Sequence, residues 1–321
     1  MVGLLTVIGF LAYLTWDQSY WWLVKQDYSF GWLVPIAVAY VIFERWSTIK
    51  SALHFPQKVE TPSSLNQLLG LFAVPAVLVV FLCGAALFLL GSIFRSAAGP
   101  SFQATQAVTL GASSLLLSTI YLIAPTQSLS PTTRALERWR LASLFLFPIL
   151  VWLISAPMLA VVESRLSLFL MHQITSGVFF VFDALGFSLE QRGNVLVLPN
   201  GNVGVEEACS GIRSLTGCLF AGSFMAAVYL KHFWGKVALV TASLAFAIGS
   251  NLLRSLFLTG WCYRFGAHAI EGTVHDVTGY AVLGVTIIAL MCVMPWLTPR
   301  PKIQNSAADG SPSNSNLTKE V

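Results

Sequence analysis

Three side chains of this chain have the types and setting for acyl-transfer chemistry. Cys209 sits among small residues, Ala208, Ser210 and Gly211, with Arg213 four residues later and a long apolar run beginning there. Two carboxylates, Glu206 and Glu207, come just before it. Arg254 lies inside a later apolar run, and His275 immediately precedes the last one. A free thiol titrates at ~8.5, and neighbouring cations lower that value. An imidazole can take the thiol proton and later return it to a leaving amine. A guanidinium carries fixed charge and forked donors, suited to an oxyanion or a substrate carboxylate. Attack of the thiolate on a peptide carbonyl would give a thioester, which water or an amine would release.

The elements that must position these groups are membrane helices. The chain has 321 residues, 56% hydrophobic and only 10% charged, with mean hydropathy +0.73. A soluble domain averages ~25% charged residues, and a lipid solvent explains the deficit where a core cannot. The expected fold is therefore all-α: a polytopic transmembrane protein of about eight spans, near 2–16, 31–44, 67–91, 104–124, 141–162, 211–230, 237–262 and 277–297. The first run has no basic leader and no A-x-A site and reads as a retained span. Residues 1–300 form a single membrane domain. The tail 301–321, rich in Ser, Asn, Pro and Gly, reads as disordered.

Charge sets the expected orientation. Arg45, Lys50 and Lys58, then Arg134, Arg138 and Arg140, then Lys231 and Lys236, then Arg300 and Lys302 occupy alternate connections. The positive-inside rule puts these in the cytoplasm and the intervening connections outside. The net charge of +4 thus reports orientation rather than nucleic-acid binding. Residues 166–187 are apolar enough to threaten the count. They also carry His172, Gln173 and Asp183, which are costly in lipid, so a helix at the outer interface, or re-entrant, fits better. Val195, Val197, Val203 and Val205 flank Pro199–Asn200–Gly201, the pattern of a β-hairpin leading into Cys209.

Depth is then a test. Arg254 lies seventeen residues beyond Val237, which is ~26 Å of helix across a core ~30 Å thick. Arg254 should sit just below the outer surface, with Asn251 sharing its face and helping to fix it. Cys209 and His275 start from that same surface.

Blander readings stand beside these. Free Cys is mostly buried filler, and Cys83, Cys218, Cys262 and Cys292 fit that description. The odd count of five and the lack of C-x-x-C suggest neither a disulfide framework nor a metal site. Arg213 reads equally as an interface anchor or as a partner of Cys209. Glu206 and Glu207 suit a solvated rim, with Glu207 in a supporting position. His268 competes with His275 as base.

The chain resembles the exosortases, of the exosortase/archaeosortase group of membrane transpeptidases, over roughly residues 20–297. LPNGNVGVEEACSGIRSL (198–215) is similar to that family's hairpin followed by A-C-S-G-I/L-R. NLLRS (251–255) resembles its N-x-x-R segment, and EGTVHDVTGY (271–280) its final H-x-x-x-G segment. WWLVKQDYSFGWLVP (21–35) resembles an early D-Y-S-H-G-x-L-V-P stretch, with Phe30 in place of the His. The resemblance implies Cys209 as nucleophile, Arg254 as the essential arginine and His275, rather than His268, as third member, without a cofactor. It implies a bacterial inner-membrane cysteine peptidase and transpeptidase, with its site on the periplasmic face. Its partners would be secreted proteins with a C-terminal sorting tail: a short motif such as Pro-Glu-Pro, an apolar span and a basic end. A cell-envelope amine or polysaccharide component would accept the new carboxyl end. The rival readings are a transporter, which would place ionisable groups deep in several spans, and a non-catalytic scaffold of an envelope-export system.

Overall fold

Proline and glycine mark where the apolar runs break into separate helices. A computed structural model of the chain describes residues 2–54, 64–128, 130–204, 211–270 and 273–298, with the side chains of all of these but 2–6, 64–69, 204, 273, 275, 276 and 280. The first helix, α1 (Val2–Val24), outruns the expected span, and a 3-10 segment, Gln26–Leu33, turns the chain into α2 (Val34–Glu44) and α3 (Trp46–His54). Next come α4 (Ser64–Ala98) and α5 (Phe102–Ile123). They lie close because glycines face their neighbour's backbone: a Cβ on Gly111 would sit 2.4 Å from the Phe88 nitrogen. Small residues at helix contacts are how apolar helices associate in lipid.

The span expected at 141–162 is not one helix. α6 (Pro131–Leu144) bends by 51° into α7 (Leu146–Ser155). Ala156 is extended, as a residue preceding proline prefers to be, and residues 160–162 already belong to α8 (Ala160–Ala184). After α8 a three-stranded antiparallel sheet forms from β1 (Glu190–Arg192), β2 (Val195–Leu198) and β3 (Gly201–Gly204). The expected hairpin is its second half, with Leu198 opposite Gly201 across Pro199–Asn200. The chain ends with α9 (Ile212–Tyr229), α10 (Phe233–Phe265), a 3-10 turn (Ala267–Ile270) and α11 (Thr273–Leu297). Among the described residues six helices are long and apolar enough to cross a membrane, or eight if each bent pair is one span. The protein is a polytopic, mainly helical membrane protein.

Helix α8 passes the length and composition test too, so length alone does not make it interfacial. Its contacts all gather at one end of the bundle. Glu163 pairs with Lys25, just past the end of α1. Leu170 lies against Gly211, and Gly177 and Phe182 meet Leu252 and Gly260 in the C-terminal half of α10. These contacts of α8 lie toward the end of α10 and not at its start.

The core lies between α1, α2, α5, α7 and α9, around Leu14, Trp22, Val34, Val108, Trp152 and Phe220. Several polar side chains inside it are paired, as a lipid setting favours. Gln18 donates to the Thr109 hydroxyl and the Trp152 carbonyl and accepts from Ser155. Trp21 Nε1 donates to Thr105 Oγ1 at 2.8 Å. Asp17, fully buried, takes the guanidinium of Arg95. At the opposite end of the bundle, Arg45 donates to the carbonyls of Leu144 and Ala227.

Candidate active site

Helix α10 is unusual for carrying its polar residues on its buried face. Ser243, Ala247, Ser250, Asn251, Arg254, Leu258 and Cys262 are all buried there at the three- and four-residue spacing of one helical face. At 33 residues, α10 is ~50 Å long, well beyond the ~30 Å a hydrocarbon core needs. Twenty-one residues from its start to Arg254 cover ~31 Å, so Arg254 falls where such a core would end. Only 7% of the Arg254 surface is exposed.

A small cavity of about 130 Å³ opens beside it. Asn251 and Arg254 form one wall, α11 supplies Gly279, Leu283 and Thr286 opposite, and α9 supplies Ser214, Gly217 and Cys218. The 3-10 segment closes the mouth with Ser29 and Phe30, and the Phe30 ring packs against Phe220 with centroids 5.3 Å apart. The approach of α11 depends on Gly279. A Cβ there would already touch the Arg254 guanidinium at 3.5–3.6 Å, so a larger side chain would push it aside. Gly211, which starts α9, is left-handed (φ +71°), a conformation that favours glycine. A Cβ on it would lie 3.1 Å from Asn251 Nδ2. Two glycines thus bring the start of α9 and the start of α11 onto the Asn251–Arg254 face.

Of the residues singled out in the sequence, Arg254, Asn251 and Arg213 all line this cavity. Arg213 proves to be held on the far side of the mouth, with Nη2 2.6 Å from Gln26 Oε1 and Nε 3.4 Å from Asp27 Oδ1. Cys209, Glu206 and Glu207 lie outside the described residues. His275 is in the first turn of α11, one turn before Gly279; its side chain is outside the description. His268 is exposed on the 3-10 turn past α10, beyond ~16 Å of helix from Arg254. His172 is exposed on α8. One described thiol, Cys218, also lines the cavity, beside the Thr286 hydroxyl and about two helical turns, ~10 Å, down α9 from Gly211. The sequence reading missed the partners of Arg213 and the lining role of Ser29. The signal was present in Gln26–Asp27, a polar pair within an aromatic, apolar stretch.

The family model described as Transmembrane exosortase (Exosortase_EpsH) matches residues 21–292 of the chain. The chain belongs to this family of transmembrane exosortases. Membership supports a sorting-related, transpeptidase role in the membrane and implies substrates that bear sorting tails. Neither a curated protein nor a solved structure matches the chain.

Proposed function

We propose that this exosortase is a cysteine-dependent processing peptidase and transpeptidase. It would remove the C-terminal sorting tail of exported proteins at the outer face of the bacterial inner membrane. The observation that carries this reading is the pair of contacts on one face of α10. Asn251 lies against Gly211 and Arg254 lies against Gly279. Cys209 is two residues from Gly211, so chain geometry limits their Cα separation to ~7 Å. His275 is four residues before Gly279 on the same face of a helix, where neighbours are ~6 Å apart. The three groups therefore have short tethers to a single buried cavity.

The chemistry follows from that arrangement. The Cys209 thiol gives its proton to the His275 imidazole, and the sulfur attacks the scissile carbonyl. Charge gathers on the carbonyl oxygen, where a guanidinium held in a low-dielectric site is worth most. As the C–N bond breaks, the imidazolium returns its proton to the departing amine of the tail. The acyl group remains on sulfur as a thioester until water or an envelope amine attacks it. Glu207 would belong to the rim of this site.

The test is tail removal from a secreted protein ending in a short motif, an apolar span and basic residues, followed by mass in membranes bearing the intact chain. Cys209→Ala should abolish processing while the protein still inserts, and Cys218→Ala should retain it. Retained processing in the first variant with loss in the second would move the nucleophile to Cys218. Retained processing in both would end the thiol mechanism.

A further inference from the structure

One glycine of the site has no packing reason among the described residues. Gly222 in α9 is explained: a Cβ on it would strike Ser243 at 2.5 Å. Gly217 is not, since among the described residues its Cβ would meet only the tip of Leu283 at 3.9 Å. Glycine inside a helix is less favourable than alanine by roughly 1 kcal/mol, so an open space is being kept over Gly217. Ala221 continues the same face one turn further along α9.

That space is the floor of a groove. α11 packs on α9 and α10, and no comparable contact joins it to α2 or to the 3-10 segment. The two sides carry partly exposed apolar side chains: Tyr40 of α2, whose ring lies 5.9 Å from Phe224 of α9, on one side, and Leu283 and Ile287 of α11 on the other. The upper end of the groove is the cavity. There Asn251, 3% exposed, lines the wall, and its Oδ1 accepts no hydrogen bond among the described residues. A buried acceptor without a donor is destabilising unless a ligand supplies one.

We propose that this groove holds the apolar membrane-spanning helix of the substrate, seated on Gly217 and Ala221, with the first turn of that helix donating a backbone N–H to Asn251 Oδ1. The proposal rests on the processing reading above. A small-residue floor is what lets a second helix approach closely in lipid. The first four N–H groups of any helix lack partners within it, and in a low-dielectric cavity they need an acceptor. A helix entering sideways between α2 and α11 supplies the donor that Asn251 lacks. Its N-terminal end then lies beside Arg254, where the bond preceding the span would be cut. Asn251 is in this view a substrate-positioning residue.

The experiment uses membranes containing the full chain and a substrate with an apolar tail. In the Cys209→Ala background, a photo-crosslinking residue at Leu283 should form an adduct with the substrate's span. One at Ile248, exposed on the opposite side of α10, should not. Adducts at both positions alike, or at 248 alone, overturn the groove. With Cys209 intact, Gly217→Leu should slow tail removal at least about tenfold through a raised KM, and Gly217→Ala by less, with thermal unfolding unchanged. Asn251→Leu should slow it about tenfold, with the split again in KM. Normal processing by Gly217→Leu overturns the groove; if that variant does not accumulate, the crosslink at 283 decides. If the unmodified chain trims the substrate but 283 gives no adduct, only the groove fails. If the unmodified chain trims no tailed substrate, the processing reading fails and the groove falls with it.

Discussion

Arg45 and Arg254 stand at opposite ends of the same helical bundle and are put to different uses. Arg45 gives its two terminal nitrogens to the carbonyls of Leu144 and Ala227. These carbonyls lie at and near the C-terminal ends of α6 and α9, where acceptors lack partners and a cation is favoured. Arg254 lies within α10, eleven residues before its end at Phe265, beside a cavity and pressed against Gly279. Arg45 is half-buried and Arg254 buried, and their neighbours differ: backbone carbonyls that close a structural joint in one case, an open space walled by small residues in the other.

The sharpest way to break this contrast is at the histidines. His275→Ala, at the Arg254 end, should lower tail removal by ~100-fold or more, the scale of a lost general acid–base. His232→Ala, at the start of α10 beside the other end, should stay within about twofold of the unmodified rate, since an exposed residue outside the site has no catalytic group to lose. The arginines come next. Arg254→Lys should cost about 100-fold in rate, as when one oxyanion donor is lost, with the unfolding midpoint little changed. Arg45→Lys should do the reverse: near-normal processing, but stability lower by roughly 1.5–3 kcal/mol, read by thermal unfolding in detergent. Equal effects of the two lysine substitutions on rate would dissolve the distinction. Gly279→Leu should reduce the rate by about tenfold by displacing the guanidinium, an overpacking effect of ~1–3 kcal/mol. Gly235→Ala, whose Cβ has ordinary contact with the Leu297 carbonyl at 3.5 Å, should not change it. The smallest effect is expected from Asp27→Asn. That pair is partly exposed and contributes less than ~1 kcal/mol, so a two- to threefold change in KM, on the order of such a loss, is the expected reading.

The membrane class, the hairpin and the site-bearing stretch of α10 were legible in the sequence because each has a local cause. Hydropathy reports the solvent, Pro199–Asn200–Gly201 reports a reversal, and helical rise converts the distance from Val237 to Arg254 into a depth. The bend at Phe145 was missed because the expected span at 141–162 ran through Pro148, which has no N–H for the Leu144 carbonyl and belongs in the first turn of a new helix. Helix α8 was ambiguous for a different reason: its composition suits a span, and only its contacts with Lys25, Gly211 and Gly260 show that it gathers at one end. The link from Arg213 to Gln26 and Asp27 joins residues nearly two hundred positions apart, which no local pattern encodes. The buried polar face of α10 was visible in outline through Asn251 and Arg254, but its continuation through Ser250 and Ser243 read as ordinary small residues.

The length of α10 has a consequence for selection among tails. The start of this helix lies near the Arg45 joint and the cavity sits ~31 Å along it, so on the proposed tail-cutting function the helix would act as a gauge. A tail whose hydrophobic stretch matches that rise presents its junction level with Arg254. A stretch shorter by two turns would leave the junction ~11 Å low, out of reach of the thiol. Tail length, as much as the letters of a sorting motif, would then decide which passengers are cut.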